Sequence, residues 1–147
     1  SPYLLPDPFT CQLLAAAQQR DVDVRVITMG PNSDKPYVYY VSRERYGPLL
    51  RQGIQLYEYQ PSMMHAKLLL IDQDWVSLGS ANLAPRSLFH NDELNICSGS
   101  GLLIQEVEHF FEKGCSDSIL VARKRWQKRP LQEKLVGRIG NLFYWQM

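Results

Sequence analysis

The chain has 147 residues, of which 45% are hydrophobic; this suits one globular domain with a real core and excludes a disordered chain. No apolar run approaches the roughly 18 residues of a membrane span, and the N-terminus lacks the basic and apolar layout of a signal peptide. The net charge of +1 conceals an asymmetry. Residues 1–122 carry nine Lys and Arg against fourteen Asp and Glu, whereas residues 123–147 carry seven against one. We therefore predict an acidic domain over 1–122 and a basic C-terminal tail over 123–147.

The first part of the chain alternates helix and strand patterns. Asp7 followed by Pro8 is typical of an N-cap with proline at the first helical position, so a helix is expected to begin there. A β-branched run predicts the next strand, and a cap-competent Ser42 predicts a short helix that is interrupted near Gly47. The expected elements are a helix over 8–20, a strand over 22–29, a helix over 42–53 and a strand over 54–59.

The second part adds three strands and a helix. Two strands are joined by a tight polar turn that begins at Asp72, and apolar residues at helical spacing follow the third strand. The helix places Leu103, Val107, Phe110 and Phe111 on one face, with Gly114 as its C-cap. The expected strands are 66–71, 75–78 and 93–98, and the expected helix is 102–113. Helices alternating with strands predict an α/β layered fold with a mixed β-sheet flanked by helices.

Cysteines and two of the histidines indicate no special chemistry. Cys11, Cys97 and Cys115 are odd in number and scattered, which fits neither a disulfide framework nor a zinc pattern. We expect reduced thiols packed as small apolar groups. His90 and His109 match no motif and are expected at the surface.

A chemical motif stands out between residues 63 and 83. On a strand, residues two apart share a face, so His65 and Lys67 are expected to point to one place at the edge of a hydrophobic sheet whose aliphatic neighbours bury both faces. Gly79 would let the backbone approach a ligand closely, and Ser80 and Asn82 would donate to anionic oxygens. The sequence therefore predicts a phosphate cradle that contains an imidazole.

The full pattern is H-x-K-x4-D-x6-G-S-x-N, and a chance match is on the order of one in ten million per site. It resembles the HKD motif of the phospholipase D superfamily, whose members cleave or exchange phosphodiesters without a metal or other cofactor. In that family one histidine attacks phosphorus and a second protonates the leaving alcohol. The resemblance makes His65 catalytic and gives the phosphate charge to Lys67, Ser80 and Asn82.

Two acidic residues, Asp72 and Glu93, accompany the motif. Asp72 lies where a strand meets a turn, so it either orients a catalytic group or stabilises the turn. Glu93 follows at the spacing where the family often carries an acidic residue, and there it would orient the imidazole.

Beyond the motif, most of the chain resembles the C-terminal half of bacterial cardiolipin synthases. The resemblance rests on "SPYLLPD", "R-x-VDVRV", "SDKPYVYY", "LLRQGIQLYEYQPSMMHAK", "GSANLAPRSL-x-x-N-x-E" and "W-x-KRPL". That family joins two phosphatidylglycerols into cardiolipin and releases glycerol. The chain departs from the family at Ala84, where Asp is common, and it carries one HKD motif where the family carries two.

One imidazole cannot easily serve as both nucleophile and acid on opposite faces of one phosphorus. A second motif is therefore expected from a missing N-terminal half or from a second copy of the chain. The absent starting Met and the opening "SPYLLPDPF" favour a fragment, in which His65 would be the general acid/base.

The basic tail suggests a membrane surface. Pro130 can open a helix in which Leu131, Leu135, Ile139, Leu142 and Phe143 form an apolar stripe flanked by Lys134 and Arg138, with Trp145 near the end. The alternative is a helix packed on its own domain. The expected partners are anionic phosphatidylglycerol and the bacterial inner membrane, where the protein is expected either to lie peripherally at the cytoplasmic face or to be anchored through the missing N-terminal part. A nuclease is the alternative enzyme, although the acidic body makes nucleic acid an unfavourable partner; a hydrolytic phospholipase and a catalytically silent lipid-binding half are further alternatives.

Overall fold

The computed structural model describes residues 1–143, so the predicted aromatic residue Trp145 lies outside the described residues. Six helices and six strands are formed in this range, and they confirm the predicted α/β class. In chain order they are α1 (Pro8–Gln18), β1 (Arg25–Met29), α2 (Pro36–Arg51), β2 (Gln55–Tyr59), β3 (Leu68–Ile71), β4 (Trp75–Gly79), α3 (Pro85–Phe89), β5 (Asn95–Ser98), α4 (Gly101–Ser116), β6 (Ser118–Leu120), α5 (Arg123–Gln127) and α6 (Leu131–Asn141).

The strands form two three-stranded sheets. In the first, β1 and β2 are parallel and β6 is antiparallel to β2, so this sheet is mixed as predicted. In the second, β3, β4 and β5 form an antiparallel meander. The candidate motif lies entirely around the second sheet.

Helix α1 begins where its sequence signals place it. The Asp7 carboxylate accepts a hydrogen bond from the Thr10 backbone N–H at 2.9 Å and another from the Thr10 hydroxyl at 3.0 Å. An N-cap of this kind satisfies a backbone donor that the helix itself leaves unpaired. Asp7 is buried, and these bonds lower the pKa of its carboxyl group.

Helix α2 is longer than predicted. It begins at Pro36 and continues through Gly47 and Pro48 to Arg51, so the predicted start at Ser42 and the predicted interruption are wrong. Proline at the first turn is compatible with a helix, whereas Pro48 removes one internal hydrogen bond. Burial of the apolar side chains on both sides of Pro48 holds the helix together.

Helix α4 runs past its predicted end. Gly114 lies inside the helix rather than at its C-cap, which is Asp117. A Cβ at Gly114 would lie 3.0 Å from Ile27 Cδ1, so the glycine allows α4 to approach β1. Phe110 is exposed, so the buried face of α4 carries Ile104 and Val107 and not the predicted Phe110.

The free thiols are not all packed as expected. Cys97 is exposed on β5, whereas Cys11 and Cys115 are half-buried. His90 and His109 lie at the surface, as predicted.

The C-terminal tail packs against α2. The Trp126 indole donates to the Arg43 carbonyl at 2.7 Å, and the buried Arg129 guanidinium donates to the Glu44 carboxylate. Helix α6 follows Pro130, which confirms the predicted helix start. The tail is therefore tied to α2 by both a hydrogen-bonded indole and a buried ion pair.

Candidate active site

The predicted convergence of His65 and Lys67 is present, although neither residue is on a strand. Strand β3 begins at Leu68, one residue after Lys67, so its predicted start is wrong. Nζ of Lys67 nevertheless lies 3.1 Å from Nε2 of His65 and donates to the His65 carbonyl oxygen at 2.8 Å. A protonated lysine can only donate, so in this arrangement Nε2 accepts and the ring hydrogen is assigned to Nδ1.

The Lys67 ammonium has a shifted pKa. Partial burial lowers the pKa of this group, while the negative charges of Glu93 and Asp34 oppose the shift. Removing the ammonium from water raises its free energy, so a bound anion would find a cation that is incompletely solvated. This is the electrostatic condition that a phosphate site requires.

Gly79 connects the two ends of the motif. Its backbone N–H donates to the Lys67 carbonyl oxygen at 3.1 Å, which fixes the end of β4 beside the start of β3. A Cβ at Gly79 would lie 2.1 Å from the Leu94 carbonyl oxygen and 2.3 Å from Asn95 Oδ1. That direction is filled by the segment that leads into β5. The structure therefore requires glycine here for strand packing, and the close approach of a ligand to the Gly79 backbone stays a prediction.

Ser80 and Glu93 form the shortest polar contact of the site. The Ser80 hydroxyl donates to Glu93 Oε2 at 2.5 Å and accepts from the Leu94 backbone N–H at 3.0 Å. Glu93 Oε1 also accepts from the Asn91 amide at 3.3 Å. The Ser80 bond is the main reason that the pKa of the Glu93 carboxyl is lowered, so the group carries its charge. Within the described residues, Glu93 thus contacts Ser80 rather than the imidazole it was expected to orient.

Asn82 follows the end of β4. Its Oδ1 is buried and has no hydrogen-bond partner among the described residues. A buried acceptor without a partner is costly, and such groups often mark positions where a ligand or water binds. Phosphate oxygens need donors, so the amide nitrogen is the Asn82 group that would serve them.

Asp72 lies at the other end of the hairpin. It follows the last residue of β3 and has a left-handed backbone with φ of 50°, a conformation that aspartate tolerates better than most residues. A strand rises about 3.3 Å per residue, which separates Asp72 from Lys67 by roughly 16 Å along the chain. Of its two expected roles, this position fits the stabilisation of the turn.

Three residues that the sequence did not single out act on the site: Asn95 through hydrogen bonds, and Asp34, held by Tyr3, through its charge on Lys67. Asn95 accepts from the Ala81 N–H at 3.2 Å and donates to Ser77 Oγ at 3.2 Å, which ties β5 to the loop of the motif. The Tyr3 hydroxyl donates to both oxygens of Asp34, at 3.0 and 2.9 Å. A polar residue inside a predicted strand, as in "ELNICS", was the signal available for Asn95.

One face of the second sheet is open. Leu69 and Ile71 are 52% and 49% exposed, so the expectation that both faces of this strand are buried was wrong. Their neighbours Leu68 and Leu70 pack against Val76 and Ile104 on the opposite face, below α4. Leu69 lies two residues after Lys67, so the apolar patch begins close in sequence to the candidate site.

Among residues 1–143, no three His, Cys, Asp or Glu side chains are grouped so that they could hold a metal ion. Nor is any helix in that range both long and apolar enough to cross a bilayer.

Comparison with known proteins identifies close relatives in sequence. Residues 1–114 match the protein family described as "Cardiolipin synthase, PLD-like domain". Cardiolipin synthase 1 of Staphylococcus epidermidis is 34% identical over 142 residues, which are 97% of this chain and 29% of that protein. Cardiolipin synthase 2 of Bacillus anthracis is 32% identical over 136 residues, which are 92% of this chain and 26% of that protein. The chain thus spans less than a third of the length of these relatives.

Solved structures share the fold at lower identity. The fold matches that of Nuc from Salmonella typhimurium, described as a phospholipase D family member, with a TM-score of 0.68 and 18% identity over 82% of this chain and 78% of that one. It also matches phosphatidylserine synthase of Haemophilus influenzae, with a TM-score of 0.67 and 16% identity over 97% of this chain and 37% of that one. These similarities confirm the predicted phospholipase D-like fold.

Proposed function

The chain belongs to the phospholipase D-like domain family of cardiolipin synthases, and on that premise we propose that it supplies one half of a metal-independent phosphatidyltransferase. Its substrate would be phosphatidylglycerol, and its products cardiolipin and glycerol. The observation that supports this most directly is the 3.1 Å approach of Lys67 Nζ to His65 Nε2 beside the Ser80–Glu93 pair. This places a proton-transfer group, a cation and a hydroxyl at the ends of two adjacent strands.

The reaction requires two imidazoles. An imidazole nitrogen attacks phosphorus, the P–N bond forms as the P–O bond to glycerol breaks, and a second imidazolium gives its proton to the leaving alkoxide. The glycerol hydroxyl of a second phosphatidylglycerol then attacks phosphorus, its proton returns to that second imidazole, and the P–N bond breaks. Nucleophile and leaving group lie on opposite sides of phosphorus, so His65 fills one of the two roles, and by family resemblance that of general acid/base.

Lys67 would change partner when substrate binds. In the structure its ammonium occupies the lone pair of His65 Nε2. A phosphodiester oxygen carries more negative charge than a neutral imidazole nitrogen and is the stronger acceptor. Movement of Lys67 onto that oxygen would free Nε2 for proton transfer and neutralise charge that grows in the transition state.

Ser80, Glu93 and Asn82 would complete the phosphate site. Glu93 accepts the Ser80 hydroxyl hydrogen, so it fixes the serine and balances the charge of Lys67. We therefore assign Glu93 a positioning role that acts through Ser80, and we assign Asp72 to the hairpin turn. Asn82 would donate its amide hydrogen to a phosphate oxygen, and the open apolar face of the second sheet would be covered by the part of the protein that carries the second imidazole.

The test is to incubate the complete protein that carries this chain with labelled phosphatidylglycerol vesicles and to separate the products by mass spectrometry. Cardiolipin with equivalent glycerol is the expected result, lost in His65→Asn and retained in His109→Asn, which changes an exposed histidine on α4. Phosphatidic acid without cardiolipin would make water the acceptor and the protein a hydrolase. Cleavage of DNA with no lipid product would overturn the proposal in favour of a nuclease.

The site of action would be the surface of a bacterial cell membrane, because the substrate resides there. The tail provides a structural candidate for that contact.

A further inference from the structure

Helix α6 turns a glycine face to α2 and an apolar face to solvent. A Cβ at Gly137 would lie 2.7 Å from the Tyr40 carbonyl oxygen, and one at Gly140 would lie 2.4 Å from Val41 Cγ2, so these glycines allow close helix packing. The opposite face carries exposed aliphatic and aromatic side chains. We name it the tail face; it consists of Leu131 (80% exposed), Leu135 (60%), Ile139 (54%), Leu142 (77%) and Phe143 (55%).

The tail face is exposed although α6 packs closely against α2. The helix is already anchored to α2 through its other side, so burial of the aliphatic stripe is not needed to hold it in place. At 100° per residue the first four members fall within about 80° of one another. A contiguous stripe of large apolar side chains in water indicates a contact surface.

A basic cavity lies at the start of α6, where Pro130 precedes the first residue of the tail face. Its volume is about 560 Å³, and it is lined by Lys124, Arg125, Lys128, Arg43, Arg129 and Glu133. Arg43 and Arg129 are both paired with glutamates. Lys124, Arg125 and Lys128 form no ion pair with any described residue, so the cavity presents excess positive charge.

The contacts of α6 lie on one part of α2. Glu133 meets Arg43, Gly137 meets Tyr40 and Gly140 meets Val41. The start of α2 follows Asp34, whose charge acts on Lys67. Helix α6 therefore packs on a helix whose N-terminal end follows a residue that acts on the catalytic motif.

We propose that the tail face and the basic cavity together bind the surface of an anionic phospholipid bilayer. The apolar stripe would enter the boundary between headgroups and acyl chains, and the cavity would receive lipid phosphates. This deepens the proposed function, on which it rests for the choice of lipid, because it holds the motif beside the surface that contains the substrate.

The chemistry of the surface selects this partner over two others. A second copy of the chain would bring two strongly basic tails together, which like charges oppose. Nucleic acid would satisfy the cations but would leave the aliphatic stripe in water. An anionic bilayer satisfies both parts at once.

The binding test is flotation of the complete protein with vesicles of phosphatidylglycerol and phosphatidylcholine, against vesicles of phosphatidylcholine alone. We expect binding to the anionic vesicles that weakens with salt. The charge variant Lys124→Glu with Lys128→Glu and the apolar variant Leu135→Gln with Ile139→Gln should each lose about tenfold or more in partitioning. Equal binding by either variant would overturn the proposal.

Matched controls exclude a general effect of the substitutions. Leu102→Gln changes a side chain that is 79% exposed at the start of α4, and Arg20→Glu reverses an exposed charge after α1. Both should bind vesicles within about twofold of the parent, a small fraction of the loss expected from the tail variants. All the changed side chains are exposed, and circular dichroism before and after mixing verifies that each variant is folded.

The remaining outcomes distinguish a bilayer from other ligands of this surface, and the bilayer proposal from the proposed enzymatic function. Competition by inorganic phosphate would identify a free-phosphate site. If the apolar variant converted a dimer to a monomer and left vesicle binding unchanged, the tail face would bind a second copy of the chain. Either outcome would overturn the bilayer proposal. His65→Asn should keep full vesicle binding while it loses turnover. Vesicle binding with no lipid product in the parent protein would reject the enzymatic function and retain the bilayer contact.

Discussion

A single methyl group at Gly79 should damage both the fold and the site. The Cβ of Gly79→Ala would lie 2.1 Å from the Leu94 carbonyl oxygen, 2.3 Å from Asn95 Oδ1 and 2.7 Å from Asn95 Cα. Two of these three atoms belong to backbone, which cannot rotate away as the end of a side chain can. The strand segment must therefore move.

The cost follows from that movement. Overpacking a well-packed region costs about 1–3 kcal/mol, and contact with backbone on this scale places Gly79→Ala near the upper end, at about 3 kcal/mol. A change of this size lowers the melting temperature of a domain of this length by roughly 6–12 °C. Displacement of Leu94 also removes the backbone donor of Ser80, so turnover should fall with stability.

Urea unfolding, followed by circular dichroism and read together with the lipid assay, measures both effects. Gly101→Ala is the matched control, because a Cβ there meets nothing within 4 Å and lies at the start of α4. We expect the control to unfold within about 0.5 kcal/mol of the parent. If Gly79→Ala behaves like the control in stability and in turnover, the close approach of β5 to β4 is refuted.

Three further predictions concern individual side chains. His65→Asn and His65→Ala should lower turnover by at least about 10³-fold with unchanged stability, and substantial activity in either variant would remove His65 from its role. Treatment with a chelator should leave turnover unchanged. Loss of turnover with the chelator would reject the metal-free mechanism. Ser80→Ala should cost about 1 kcal/mol and lower turnover roughly a hundredfold, since it removes the hydrogen bond that fixes Glu93, whose charge acts on Lys67; unchanged turnover would make Ser80 structural. For Asp7, hydrogen bonds from Thr10 hold the folded pKa below the ordinary 3.8, so its contribution is complete above that value and is lost as pH falls through the folded pKa. The stability gap between parent and Asp7→Asn should accordingly narrow during acid titration monitored by circular dichroism, and a gap that widens would contradict this sign.

Local signals in the sequence predicted the elements whose caps or turns are self-contained. Asp7 and Pro8 specify the start of α1 without reference to the rest of the chain, and the helix begins there. The predictions failed where tertiary packing overrides a local signal. Pro48 and Gly114 both indicate helix ends, yet α2 and α4 continue through them because core contacts on either side hold the helices together.

The sequence likewise predicted one part of the candidate site and missed another. Its residue types and spacing predicted that His65 and Lys67 converge, and the two side chains do so despite the later start of β3. The Ser80–Glu93 bond joins residues thirteen apart through the pairing of β4 with β5, and no local pattern specifies that contact. The exposure of Leu69 could not be predicted from the sequence either. Leu69 lies in an aliphatic run that predicts burial, but nothing in the described chain covers its outer face.

The exposure of the site has a mechanistic consequence. His65 and Ser80 are exposed and Glu93 is half-buried, so water weakens their electrostatic interactions severalfold relative to a closed site. Phosphoryl transfer to a lipid hydroxyl also requires that water be kept from the phosphorus intermediate, or hydrolysis competes. The same cover that brings the second imidazole would meet the open apolar face beside Lys67 and dehydrate the site. One structural event would thus supply the second catalytic group and select an alcohol over water as the acceptor. A mutation that loosens that cover, such as Leu69→Asp, should therefore raise phosphatidic acid relative to cardiolipin in the lipid assay before it abolishes turnover.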